Sequence, residues 1–143
     1  MDERAAERPF QMTDTDVVEI FSTFNTLGYW RHDLDTGHTY CCPTLLDFFG
    51  LPSTDGPVNM MEISARLHPD DLSHVMEANE SASVQPMSYQ KIHRIRHGGG
   101  SYRWYCSTGR FRKKEGTSGE VVGITWEIPP HRCEAIHRLL DEA

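Results

Sequence analysis

The feature that most constrains the fold is a change in hydrophobic periodicity at Pro86. Before this residue, many apolar side chains recur at intervals of three and four residues, which is typical of amphipathic helices. After it, they alternate with polar residues in short runs separated by glycine-rich or lysine-rich turns, which is typical of strands. This combination predicts an α+β fold, with helices gathered on one face of an antiparallel sheet.

Five strands are predicted, two before and three after the helical middle of the chain. They are rich in aromatic and β-branched residues, and the turns between paired strands contain glycine. The predicted strands cover residues 29–34, 38–42, 87–96, 102–112 and 120–128. Pro129 and Pro130 end the last strand, because proline cannot donate a hydrogen bond to a sheet.

The N-terminal helix is predicted from a cap and an apolar stripe. Residues 1–12 form an arm without a pattern, Thr13 caps the helix, and Gly28 ends it. Its helical spacing gives the stripe Val17, Ile20, Phe21 and Phe24. This stripe is predicted either to cover the sheet or to form a dimer contact.

Further helices are predicted in the middle and at the end of the chain. Short helices cover residues 43–49 and 59–67, and a third begins at Pro69, where proline and two acids suit a first turn. A last helix over 131–142 presents Ile136 and Leu140 as linker or dimer contacts. The predicted organisation is an arm and flanking helix at 1–27, a domain at 28–128 and a linker helix at 129–143.

Composition limits the class of protein. A chain of 143 residues with 38% hydrophobic and 24% charged residues suits one globular domain. Its apolar runs are too short for a membrane span, and its N-terminus lacks a signal peptide, so a cytoplasmic location is predicted. The four cysteines form no C-x-x-C pair and are interpreted as reduced, small apolar residues.

Charge is unevenly distributed along the chain. Residues 1–86 carry 15 acids and 4 bases, whereas residues 87–143 carry 6 acids and 10 bases. A net charge of −7 argues against general nucleic-acid binding, because phosphate contacts need clustered cations. The two halves are predicted to present complementary charges to each other, within one chain or across a dimer.

Five short segments match a known family in order and spacing. They are GYWRHDLDTG at 28–37, LDFFG at 46–50, HPDD at 68–71, RI at 94–95 with GSYRW at 100–104, and Gly123 followed by EI at 127–128. Together they resemble the PAS domain, in the PAS-fold subtype of bacterial sensors. Two positions depart from that pattern. Ile92, followed by His93, occupies the place of a usual glutamate, and Glu127-Ile128-Pro129 stands where the family has the closing Asp-Ile-Thr.

The resemblance implies a function as well as a fold. It implies a five-stranded antiparallel sheet with a pocket beneath short helices, in a sensory module that binds a small ligand or a protein partner. Such modules regulate an output, commonly a histidine kinase or a diguanylate cyclase, and form homodimers through flanking helices. The alternatives are a haem-binding redox or gas sensor and a ligand-free interaction or dimerisation module.

The chain lacks motifs for catalysis, for a metal centre and for common cofactors. There is no phosphate-binding loop, no nucleophile elbow and no zinc-protease motif, so the domain is not predicted to be an enzyme. Cys133 and His137 share a helix face but have no evident third ligand. Haem-binding relatives use a histidine on the long helix, for which His74 is the candidate, whereas the flavin-binding cysteine motif is absent.

Strand alternation and helix spacing predict the walls of the pocket. The sheet wall is expected to carry one set of alternating residues, and the short helices to supply its roof. The candidates are Trp30, His32, Met60, Met61, Leu72, Met76, His93, Ile95, Trp104, Cys106, Ile124 and Trp126. His93 stands out because a polar ring on an inner face needs a partner or a ligand. A bound ligand is expected to shift the sheet and, through it, the helix at 131–142.

Overall fold

The computed structural model describes residues 9–84, 88–97, 99–129 and 138–139. Within them, the strands are β1 (Leu27–Asp33), β2 (Thr39–Cys41), β3 (Ser88–Arg96), β4 (Tyr102–Arg112) and β5 (Glu120–Glu127). All neighbouring strands pair antiparallel in one sheet of order β2-β1-β5-β4-β3. The predicted α+β class and the five strands are confirmed, with boundaries that differ by at most two residues.

Four helices surround the sheet in the described part of the chain. They are α1 (Asp14–Phe24), α2 (Pro43–Phe48), α3 (Met60–Arg66) and α4 (Pro69–Val84). Their starting residues act as predicted. Thr13 and Asp16 form a reciprocal capping box on α1, and Asn59 Oδ1 accepts the Met61 N–H at 2.9 Å on α3.

Gly28 does not end the first helix as predicted. Helix α1 stops at Phe24, and the Asn25 side chain donates to the Phe21 carbonyl oxygen at 2.8 Å, so Gly28 belongs to β1. A Cβ atom on Gly28 would lie 2.8 Å from Leu45 Cβ. Glycine is therefore required because β1 and α2 pack in close contact.

The two ends of the chain are described only in part. Residues 9–11 form a short 3-10 turn where the sequence predicted an arm without structure. The predicted helix over 131–142, including Ile136 and Leu140, lies outside the described residues, except that residues 138–139 are helical. None of the helices in the described ranges is long and apolar enough to cross a membrane.

The hydrophobic core lies between one face of the sheet and helices α2, α3 and α4. Its buried residues are Cys42, Leu45, Phe48, Phe49, Ile63, Leu67, Ile95 and Tyr105. Helix α1 lies against the other face, where the rings of Phe21 and Trp126 make a T-shaped contact with their centroids 5.7 Å apart. No side chain of α1 is buried. We refer below to the face toward α2–α4 as the inner face and to the opposite one as the outer face.

One ion pair joins the acidic and basic parts of the chain. Asp71 on α4 accepts the Nε and NH2 hydrogens of Arg94 on β3 at 3.0 and 2.9 Å, and also the Arg94 backbone N–H at 2.8 Å. Burial opposes ionisation of Asp71, but these bonds and the charge of Arg94 outweigh it and lower the pKa of the carboxyl. The first turn of α4 is thereby fixed to the edge strand of the sheet.

Candidate functional site

A cavity of about 150 Å³ lies between the inner face of the sheet and helices α2–α4. Its walls are mostly apolar, as in most small-molecule sites. Residues of this apolar wall include Leu45, Phe49, Ile63, Leu67, Leu72 and Val75. The polar side chains on the lining are His32, Thr39, Ser64, Lys91, His93, Ser107 and Thr125. Such a cavity suits one small molecule, since a cavity of similar volume holds benzene.

A continuous chain of hydrogen bonds crosses the floor of the cavity. His93 Nε2 lies 2.7 Å from Ser107 Oγ, and Ser107 Oγ lies 2.7 Å from Thr125 Oγ1. Thr125 Oγ1 then accepts the indole N–H of Trp30 at 3.2 Å. The four residues lie on β3, β4, β5 and β1, so these bonds, which we name the polar chain, join four strands.

His93 is the most deeply buried titratable group on this lining. Only 4% of the residue is exposed, and desolvation lowers the pKa of the imidazole to about 4, although the charge of Asp71 opposes this. The ring is therefore neutral at pH 7. Among the described residues, nothing forms a hydrogen bond with its buried Nδ1 atom.

Trp30 reaches the polar chain because Gly123 leaves room for its ring. The two residues are cross-strand partners of β1 and β5, and a Cβ atom on Gly123 would overlap the indole. The same Cβ would lie 2.5 Å from the Thr108 carbonyl oxygen. Glycine is thus needed for the indole to lie flat on the sheet and to direct its N–H toward Thr125.

The β1–β2 side of the cavity is also uncharged at neutral pH. His32 Nδ1 lies 2.7 Å from Thr39 Oγ1, and desolvation lowers the pKa of His32 against the opposing charge of Asp33. Burial, followed by the neighbouring Cys42, raises the pKa of the Cys41 thiol to about 12. Cys41 is therefore a protonated, apolar part of the wall and not a nucleophile.

Five of the predicted pocket residues lie on the cavity lining. They are Trp30, His32, Met60, Leu72 and His93. Ile95 is fully buried in the adjoining core, whereas Met61 is 82% exposed and lies away from the cavity. The Met76 side chain lies outside the described part of the structure.

The expectation that Trp104, Cys106, Ile124 and Trp126 line the pocket is wrong. Tyr105 pairs with His93, and Ser107 pairs with Thr125, so these residues share the inner face of the sheet. Side chains alternate along a strand, and the four predicted residues therefore lie on the outer face. There the guanidinium of Arg94 covers Trp104 at 4.8 Å from its ring centroid.

Sequence reasoning missed the hydroxyl residues of the polar chain. On β4 and β5 the outer residues are more hydrophobic than Ser107 and Thr125, so hydrophobicity favoured the wrong alternate set. The available signal was a pair of hydroxyl residues, Ser107 beside the apolar Cys106 and Thr125 between the apolar Ile124 and Trp126. This signal becomes informative only when the strand register is known.

His74 does not face the cavity. Its side chain is exposed on α4 and is not part of the lining. A haem group is also larger than a cavity of about 150 Å³. The residues present therefore do not fit the haem site for which His74 was the candidate ligand.

Comparison with known proteins assigns the fold to a family. The sequence matches the model of the PAS fold over residues 38–125. No curated protein matches the sequence. A sensory box histidine kinase/response regulator from Burkholderia thailandensis has a TM-score of 0.65 at 22% identity, over 87% of this chain and 95% of that chain.

Two other solved structures show the same architecture. The N-terminal domain of a diguanylate cyclase with a PAS/PAC sensor from Marinobacter aquaeolei has a TM-score of 0.60 at 18% identity, over 71% of this chain and 94% of that chain. An RNA-binding light-oxygen-voltage receptor has a TM-score of 0.63 at 14% identity, over 82% of this chain and 32% of that receptor. With the matched family model covering more than half of its residues, this chain belongs to the PAS-fold family.

Proposed function

We propose that this PAS domain is a sensory module that binds a small molecule in its cavity and regulates an attached or associated output. The output is of the class of a histidine kinase or a diguanylate cyclase, to judge from the proteins whose domains it resembles. The observation that carries the proposal is the polar chain on the floor of an apolar cavity. It ends in a buried imidazole nitrogen that has no partner within the described structure.

The polar chain also gives a route from the cavity to the rest of the sheet. A ligand that contacts His93 changes the environment of a group bonded, through Ser107 and Thr125, to Trp30 on β1. Strands β1 and β5 are central in the sheet, and β1 follows directly after α1. Ligand binding is therefore expected to change which arrangement of the sheet is most populated. This change would alter the contacts that the sheet makes with α1 and with the residues after β5.

Native mass spectrometry of the full chain, purified from its own host, tests the ligand. We expect an excess mass on the order of 100 Da, because a cavity of similar volume holds benzene. The Ser64→Trp variant fills the cavity from its lining and is expected to lose the excess mass.

The control for this experiment is Ser53→Trp, in an exposed loop, which is expected to retain the ligand. Ligand binding would be contradicted if the wild-type protein shows only its unliganded mass under conditions that keep another non-covalent protein–ligand complex intact. Equal ligand retention by both tryptophan variants would place the ligand elsewhere on the protein.

We further propose that α1 mediates a homodimer. Ile20 is 61% exposed and Phe24 is 84% exposed, although both lie on the apolar stripe of this helix. An apolar helix face of this kind is stabilised by a second copy, since a symmetric contact buries each residue twice. Ile20→Ser is expected to raise the dimer dissociation constant at least 10-fold, because roughly 1–2 kcal/mol of burial is lost per copy.

Light scattering coupled to size-exclusion chromatography measures this effect over a range of concentrations. Val18→Ser is the matched control, because Val18 is 53% exposed but lies off the stripe. A wild-type chain that stays monomeric at every concentration would rule out the dimer. An equal effect of both serine variants would show that the stripe is not the contact.

A further inference from the structure

The hydrogens of the polar chain can be placed by counting donors and acceptors. The Trp30 indole N–H can only donate, so Thr125 Oγ1 must accept from it. Thr125 is 3% exposed, and the other described partner of its hydroxyl is Ser107 Oγ. In the arrangement that lets both buried hydroxyls donate, Thr125 donates to Ser107.

The same arrangement gives the tautomer of His93. Ser107 Oγ already receives the Thr125 proton, and the remaining described partner for its own proton is His93 Nε2 at 2.7 Å. In this arrangement Nε2 is the acceptor of a neutral imidazole, and the ring proton lies on Nδ1. His93, a residue of the cavity wall, therefore carries a donor N–H at Nδ1. This N–H has no acceptor in the described part of the protein.

Lys91 adds a charge to the same wall. It lies two residues from His93 on the inner face of β3, pairs in register with Ser107 and lines the cavity. Lys91 is half-buried, and its ammonium group forms no ion pair with any residue whose side chain is described. A cationic ligand is disfavoured beside it, and an oxygen that carries negative charge is favoured.

From these positions we infer that the ligand is a small, largely apolar molecule with a hydrogen-bond-accepting oxygen, which His93 Nδ1–H and Lys91 recognise. The inference rests on the proposed function, since it names the ligand class of that cavity. A carbonyl and a carboxylate share the required acceptor, and Lys91 favours the carboxylate. The apolar wall formed by Leu45, Phe49 and Ile63 then surrounds the hydrocarbon part of the molecule.

The tautomer is tested first, without any ligand. Long-range ¹H–¹⁵N correlation spectra of the full chain at pH 7 are expected to show a protonated Nδ1 and an unprotonated Nε2 for His93. In Ser107→Ala, which removes the hydroxyl that donates to Nε2, the spectrum is expected to shift toward the other tautomer. A protonated Nε2 in the wild-type chain would overturn the inference.

The ligand class is tested with three isosteric probes: benzoate, acetophenone and cumene. One net hydrogen bond is worth about a 5-fold change in affinity, so both oxygen-bearing probes are expected to bind at least that much more tightly than cumene. In NMR titrations, His93→Phe should abolish the preference for acetophenone over cumene, whereas the exposed His38→Phe should retain it. Lys91→Met should weaken benzoate alone.

The outcomes separate this inference from the proposed function. If cumene binds as tightly as acetophenone and benzoate, or if no probe binds at millimolar concentration, the assigned ligand class is wrong. A retained ligand in the native mass spectrum would still support the sensory function. Preferred binding of the oxygen-bearing probes, together with the Nδ1–H tautomer, would support the inference.

Discussion

His93 is expected to make the stability of this domain fall by about 3 kcal/mol between pH 6.5 and pH 4. Its pKa is about 4 in the folded chain, because the ring is desolvated, and near 6.5 when unfolded. Between these values the unfolded chain binds a proton that the folded chain does not. Stability is therefore fully present above pH 6.5 and is lost as the pH falls toward 4.

Urea unfolding at several pH values between 7 and 4 measures this effect. His93→Phe keeps a ring beside Tyr105 and removes the titrating group. Between pH 6.5 and pH 4, its free energy of unfolding should therefore fall by about 3 kcal/mol less than that of the wild type. The exposed His74→Phe is the control and should follow the wild-type curve. A wild-type slope in His93→Phe would show that His93 is not the group responsible.

Gly123→Ala is expected to destabilise the fold by about 3 kcal/mol or more. The added methyl group would overlap the Trp30 indole and lie 2.5 Å from the Thr108 carbonyl oxygen. The carbonyl belongs to the adjacent strand β4 and cannot move without loss of strand pairing. Displacement of the indole would also break its bond to Thr125 and alter tryptophan fluorescence.

The matched control is Gly99→Ala, because a Cβ atom there has no neighbour within 4 Å. Its stability should stay within about 0.5 kcal/mol of the wild type in chemical denaturation. Adding Trp30→Leu to Gly123→Ala should recover part of the loss, since one of the two steric conflicts is removed. Equal stabilities of Gly123→Ala and Gly99→Ala would contradict the role assigned to Gly123.

Local sequence signals predicted the elements of this fold well. Thr13, Asn59 and Pro43 start their helices through bonds and dihedral angles that involve only nearby residues. The strands were recognisable because alternation and turn residues are also local. The order of these elements, with the family resemblance, was therefore sufficient for the fold class.

Gly28 shows where local reasoning gave the wrong boundary. A glycine after an apolar stripe is a common helix end, but here the cause is a distant one, the contact between β1 and Leu45 on α2. The sequence contains no short-range signal that distinguishes these two uses of glycine.

The inner wall of the cavity was decided only by the tertiary structure. Alternation divides β4 into Tyr105 and Ser107 on one side and Trp104 and Cys106 on the other, but it does not say which side faces the helices. Both sides are partly covered here, since α1 packs Phe21 against Trp126 on the outer face. Hydrophobicity therefore could not identify the inner side.

By itself, the sequence determined the five strands, their order along the chain, the helix starts and His93 as a polar ring worth attention. The tertiary structure decided that His93, Ser107, Thr125 and Trp30 form one hydrogen-bonded chain. The physical reason is that these residues are far apart in sequence and become neighbours only through the pairing of four strands. A one-residue change in that register would move every one of these groups to the opposite face.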